Sequence, residues 1–199
     1  GIAMTTGLSN TLIGGLCGDS VTTGDDNVSL GYSSLRSNTA SNGNVAVGAS
    51  ALYSLNITGD STYAANTAVG YSSGLYLTTG TESTFIGAKA GQGITGAKLT
   101  GNTNTAVGAS AGLLLQGAAN QNTMVGQLAG HNVTTGSGNV CIGISAETSA
   151  VNSTNQIVMG ESVTGVGNNN FTFGVGSSDS NIDFGQTSIT APSDQRYKE

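Results

Sequence analysis

The chain has 199 residues, with 32 Gly, a single Pro, no Trp, only 8% charged residues and a formal net charge of −6. Five basic groups leave no stripe able to neutralise phosphates, so nucleic acid is not an expected partner. No apolar run approaches the roughly 20 residues that span a bilayer, and membrane insertion is not expected either. An apolar content of 37% held at fixed register is a folding pattern rather than a linker.

The register comes from a five-residue pattern: Asn, a β-branched residue, a small or apolar residue, an aliphatic, then Gly. Asn104-Thr105-Ala106-Val107-Gly108 is one copy. The closing glycine recurs at Gly14, Gly31, Gly48, Gly70, Gly87, Gly108, Gly126 and Gly143, and in looser form at Gly160, Gly174 and Gly185. Five of the ten units are 17 residues long and one is 18, two are 22 and 21, and the last two shorten to 14 and 11. A helical repeat needs two apolar stripes in a longer unit, whereas each unit here holds one short alternating segment between Gly, Asn, Ser and Thr. The predicted fold class is therefore all-β, a parallel β-solenoid or β-roll of about 17-residue coils.

In each unit the residue before the glycine is large and apolar, from Ile13, Leu30 and Val47 to Phe173 and Phe184, and is expected to point into the core. Two positions earlier, on the same strand face, stand Thr11, Val28, Val45 and their equivalents, β-branched or aromatic throughout. The residue between them, such as Leu12, Ala46, Phe85 or Met124, is expected on the opposite face, where only Asp183 is charged. That face needs a cover, either a loop of the same chain or identical chains. Three chains around a common axis would bury each strand on both sides, so an elongated homotrimer is expected.

After the glycine, the third residue is Ala, Ser or Cys through eight units, which predicts a tight corner followed by a second short strand. The remainder of each unit is a polar turn. The two longer units insert Ser61-Thr62-Tyr63-Ala64-Ala65 and a segment around Ile94 to Thr100, both expected to protrude. From Gly160 the units shorten and Phe171, Phe173 and Phe184 replace aliphatics, so a β-roll domain over 1–163 is expected to give way to a narrowing neck or tip over 164–192.

Catalytic chemistry finds little support. Asp26 and Glu82 share register relative to the glycine that follows, but in the second and fifth coils, roughly 14 Å apart at three rises of about 4.8 Å, too far for a glycosidase pair in adjacent coils. The single His131 has no neighbouring Cys or second His, so neither a metal nor a cofactor is expected. Cys17 and Cys141 lie seven coils, or roughly 33 Å, apart, beyond the reach of a disulfide. Tyr32 and Tyr71 follow the motif glycine in alternate units, and Tyr63 lies in a long one. They are candidates for stacking against sugars, while packing between the chains of a trimer is the preferred reading of Tyr32 and Tyr71.

The Asn-Thr-Ala-Val-Gly units, over about residues 10 to 160, resemble the repeats of bacteriophage tail fibres and trimeric adhesive fibres. They are similar in style to the β-roll heads of trimeric adhesins, which run on a shorter repeat. Ser193-Asp194-Gln195-Arg196-Tyr197-Lys198-Glu199 resembles the opening of the C-terminal intramolecular chaperone of such fibres, a self-cleaving assembly domain, of which 193–199 would be the start. The resemblance implies a virion tail fibre or extracellular cell-surface fibre. Its partners would be two identical chains and a glycan or outer-membrane receptor on a bacterial or prey cell. A depolymerising tailspike fragment and a pure spacer shaft are the alternatives. By the same resemblance, Ser193 is the self-cleavage residue of a full-length chain carrying the chaperone. Such a chain is expected to appear as two fragments split at Ser193 on denaturing gels, and Ser193→Ala to leave one uncut chain that still trimerises; an uncut chain with Ser193 intact would remove the chaperone assignment.

Overall fold

The computed structural model describes residues 3–58 and 63–186. Ser61 and Thr62 of the first long unit, and the segment from Ser193 to Glu199, lie outside them. Among the described residues there is no helix. Eleven strands form one sheet in chain order: β1 (Thr11–Ile13), β2 (Val28–Leu30), β3 (Val45–Val47), β4 (Thr67–Val69), β5 (Thr84–Ile86), β6 (Thr105–Val107), β7 (Thr123–Val125), β8 (Val140–Ile142), β9 (Gln156–Glu161), β10 (Asn170–Val175) and β11 (Ser178–Asp183). From β1 to β10 every pairing is parallel and in exact motif register, so that Ala46 faces Ala68 and Phe85 faces Ala106 on neighbouring rungs. Each 17-residue unit is one coil of a β-solenoid.

The coils are joined by a ladder of buried amides. The residue before each strand is Asn27, Asn44, Asn66, Asn104, Asn122 or Asn139, all essentially inaccessible to solvent. Asn27 donates from its backbone N–H and its Nδ2 to the single Oδ1 of Asn10, at 3.0 and 3.1 Å, and Asn44 does the same to Asn27. The second Nδ2 hydrogen reaches a turn carbonyl: that of Ser41 from Asn27, Gly80 from Asn66, Gly136 from Asn122 and Ser153 from Asn139. Asn fits because it supplies one acceptor and two donors on a side chain short enough to stay inside the coil. At Ser83 a hydroxyl takes over, accepting from Asn104 N–H at 3.2 Å, and the ladder continues.

The strand faces are the reverse of the expectation. The middle residue of each strand points inward, with Ala46, Ala68, Phe85, Ala106, Met124, Cys141 and Val158 fully buried, whereas Ile13, Leu30, Ile86, Val125, Ile142 and Met159 stand exposed. The narrow interior explains this. Its opposite wall already supplies Leu35, Leu52, Leu55, Leu77, Leu99 and Leu115, leaving room for only one strand residue per rung. Volumes compensate between the walls: facing the large Phe85 stand Gly74 and Gly91, and a Cβ on Gly130 would lie 2.7 Å from the Met124 sulfur. Where the middle residue is Ser29 or Ala46, the residue four after the motif glycine is Leu35 or Leu52 instead.

The third residue after each glycine, Cys17 to Ala146, is buried as the small-residue pattern predicts. The second strand expected there is not one. Residues two after the glycine, such as Ser33, Ser50 and Ser110, and often those four after it, such as Leu35 and Leu52, have φ near +50 to +59°. The backbone still bonds from coil to coil, as Leu35 N–H to Ala51 O and Leu52 N–H to Ser73 O, but the alternating left-handed residues prevent a pleat. The motif glycine is required by geometry: Gly70 has φ +136°, and a Cβ there would lie 2.5 Å from the Gly87 carbonyl oxygen of the next coil.

The second long unit bulges at 94–98, where Ile94 and Ala97 form an antiparallel bridge, and Leu99 returns to the interior in register with Leu77 and Gly117. The 11-residue unit ending at Gly185 is not a coil. β11 folds back antiparallel on β10. Nor do wide side chains fill smaller coils, because Phe171 and Phe173 lie partly exposed, their ring centroids 4.9 Å apart, while Val158 and Thr172 point inward. The antiparallel strand carries Asp179 and Asp183 on the sheet edge, where charge opposes strand-to-strand aggregation.

Asn122→Ala is expected to strip an acceptor from Asn139 and a donor from the Gly136 carbonyl and to lower stability by about 2 to 4 kcal/mol, as two buried groups lose partners. Asn152→Ala, at an exposed turn, should change it by less than about 0.5 kcal/mol. Denaturant midpoints measure both.

Candidate functional site

Three surfaces carry the residues that chemistry or recognition would use. The first is the outer sheet face. Its two columns run through Thr11, Val28, Val45 and their successors, and through Ile13, Leu30, Val47 and theirs. From β1 to β8 no charged residue occupies either column. Tyr32, Tyr71, Ile144 and Val175, each just after a motif glycine and 51–63% exposed, extend it on one side. Tyr32 lies against Gly15 of the coil before, whose Cβ would sit 3.4 Å from the ring. Tyr32 and Tyr71 therefore belong to the same surface as the aliphatic column through Ile13 and Leu30, beside which the other column is made of valines and threonines. Over nine rises of about 4.8 Å the surface is roughly 43 Å long, the kind of continuous exposed apolar patch that marks an interaction site.

Tyr63 does not belong to that surface. It precedes the left-handed corner at Ala65, its ring rests on Gly43, and its hydroxyl donates to Asp26 Oδ2 at 3.0 Å. The Asp26 carboxylate beside it raises the phenol pKa above its ordinary value. Asp26 and Glu82 occupy the same corner position in their coils, at φ 57° and 56°, with Gly43 and Ala65 in the coils between. Asp25, the neighbour of Asp26, accepts Leu8 N–H and is a turn former in the N-terminal coils.

The third feature surrounds the single histidine and was not anticipated from the sequence. His131 Nδ1 pairs with Glu147 Oε1, and the same carboxylate accepts from the backbone N–H groups of His131 and Asn132. In preceding coils the residue six after the glycine donates to a carbonyl of the next coil, as Ser54 does to Leu75 and Leu114 to His131. At Asn132 the carboxylate takes the place of that carbonyl. The side chain thus ends a backbone ladder. Sequence alone shows Glu147 only as the acid that replaces Leu or Gly at this position in the unit. Burial holds its pKa above the usual carboxylate value, with His131 and the two N–H groups opposing the rise.

Cys17 and Cys141 are free and buried, as the coil count predicts. Desolvation, with a smaller contribution from Glu147, pushes the Cys141 thiol up to about 12, which leaves it a packing group without nucleophilic character. Among the described residues, no three of His, Cys, Asp and Glu gather as metal ligands would. Ser193 lies outside the described residues.

Glu147→Ala is expected to destabilise by about 1 to 3 kcal/mol by leaving the Asn132 N–H without an acceptor and the His131 N–H with only its longer bond to the Leu128 carbonyl, and Glu147→Gln, which keeps an acceptor, to cost less. Because the folded pKa is raised, Glu147 contributes most at acid pH, and the contribution is lost as pH rises through the folded value. Melting temperatures from about pH 4 to 7 should therefore show wild type gaining on Glu147→Gln as pH falls; the opposite trend would make the His131 ion pair dominant.

No family model, curated protein or solved structure matches this chain.

Proposed function

We propose that this chain is a non-enzymatic segment of a trimeric adhesive fibre, of the tail-fibre kind that its repeats resemble, in which the solenoid is a rigid shaft or head that presents a recognition surface for bacterial or other cell surfaces. The observation that carries the reading is the exposed outer face of β1 to β8, whose two columns are aliphatic residues and threonines without charge, with Tyr32 and Tyr71 beside them. Its side chains repeat at one strand spacing whatever the length of the coil, because the insertions fall in turns away from the strand. A partner matching that period for the whole length is another copy of the same stack. Burying the remaining half of an Ile, Leu or Val gains roughly 1 kcal/mol, so about ten such side chains give on the order of 10 kcal/mol. A trimer gains this three times over against two association costs of about 4 to 15 kcal/mol each, which favours assembly over a monomer. This covered face is the opposite of the one expected from the sequence, and its larger side chains strengthen the argument for assembly. The fibre reading extends to Ser193, as the junction to an assembly chaperone that a folded trimer no longer needs.

Sedimentation of the purified chain is expected to give one species of three times the 19.6 kDa chain mass. The double variant Ile86→Lys and Ile142→Lys should shift it to monomer with its β circular dichroism retained. A wild-type monomer in dilute buffer would sink the reading.

A further inference from the structure

The corner that precedes the strands carries two features that the apolar face does not use. At this corner the residue before each ladder position is left-handed, and those in the middle of the stack, Glu82, Thr103 and Gln121, stand exposed. Between the corners preceding β6 and β7 opens a cleft of about 430 Å³, lined by uncharged groups including Thr100, Asn102, Thr103, Asn120 and Gln121. Asn102 uses its Oδ1 to accept Thr81 N–H at 2.9 Å, and Asn120 donates from Nδ2 to Ala118 O. These bonds fix two amides in place at the cleft. Gln121 is exposed, and its side chain makes no hydrogen bond among the described residues.

The second feature is Tyr63, preceding β4 on the same corner. Its ring is bedded on Gly43, where a Cβ would come within 3.0 Å of the ring carbon, and its hydroxyl is tied to Asp26. At 63% exposure, the rest of the ring is open to solvent. Three to four coil rises, about 14 to 19 Å, separate this aromatic surface over Gly43 from the cleft, and the corners of Ala65 and Glu82 stand between them. A held aromatic face and a row of amides along one line are the chemistry that takes the apolar faces and hydroxyl edges of a sugar chain.

We propose that this corner is a glycan groove, in which an uncharged oligosaccharide lies along the solenoid axis with one sugar stacked on Tyr63 and later sugars hydrogen-bonded in the cleft by Asn102, Asn120 and Gln121. The proposal rests on the surface-recognition reading above and gives it a site and a ligand class. Uncharged sugars are specified because the cleft lining carries no charge, while Asp26 and Glu82 present carboxylates that repel uronic or sialic acids.

The test uses the full chain in three arms: binding to whole cells of a panel of bacterial strains, to neutral O-chain oligosaccharides purified from the strains that bind, and to polyanionic capsule fragments. Neutral oligosaccharides are expected to bind and the polyanions not. Tyr63→Ala and Gln121→Ala should each weaken the neutral ligand tenfold or more, Tyr63→Phe less than threefold, with unchanged melting curves showing that each variant is folded. Undiminished binding by both alanine variants, or preference for the polyanion, overturns the groove and leaves surface recognition standing. Cells bound without any free oligosaccharide bound does the same. Failure to bind any strain removes the recognition reading and the groove with it.

Discussion

The amide ladder is the constraint on which the rest of the solenoid depends. Each strand has only three residues from β1 to β8, far too few to hold a register through its own backbone bonds. The buried Asn before the strand bonds to its counterpart in the coil before and to a turn carbonyl in the coil after. A slip of one residue would leave a buried amide unpaired in every coil, at about 1 to 3 kcal/mol each. Coils of 17, 18, 21 and 22 residues consequently share one register, with excess length pushed into the turns. Like other repeat stacks, the chain is held by nearest-neighbour terms: each strand packs only against the strands beside it, and the Tyr63–Asp26 hydrogen bond reaches across one intervening coil.

The interior imposes the second constraint. Two walls share a space only one large side chain deep, so a large residue on one requires a small one on the other, as Phe85 requires Gly91 and Leu52 permits Ala46. With one strand residue per rung admitted, the other two face outward and are free to form an apolar surface. The fold and the proposed assembly thus use different residues of the same strand. The ends are managed separately, by the Glu147 carboxylate that ends one backbone ladder and by the antiparallel β11 that closes the sheet.

Division of labour between faces follows from the left-handed corner. On one side of it the side chains are aliphatic and aromatic, suited to water exclusion against a copy of the same stack. On the other they are amides, hydroxyls and carboxylates with Tyr63 among them, suited to hydroxylated ligands. Asp26 and Glu82 lie on this second side, where their carboxylates make the local charge negative.

Sequence by itself determined the solenoid. A glycine recurring every 17 residues after a β-branched and an aliphatic residue fits one parallel coil and no helical unit, and the same count placed the two thiols too far apart to bond. The small residue after the glycine, the 94–98 bulge and the exposure of Tyr32, Tyr63 and Tyr71 were also legible. Which strand face points inward was not, because both faces are apolar and period-two alternation gives two sets without saying which is inside. Only the tertiary structure decided that, through the width of the cavity left by the leucine wall opposite. Likewise the return of β11 depends on a turn at Gly176 that the repeat pattern counted as part of a coil. The Glu147 carboxylate reads as a stray acid until the missing carbonyl beside Asn132 gives it a partner. Register is local and written in every unit, whereas inside and outside are properties of the closed coil.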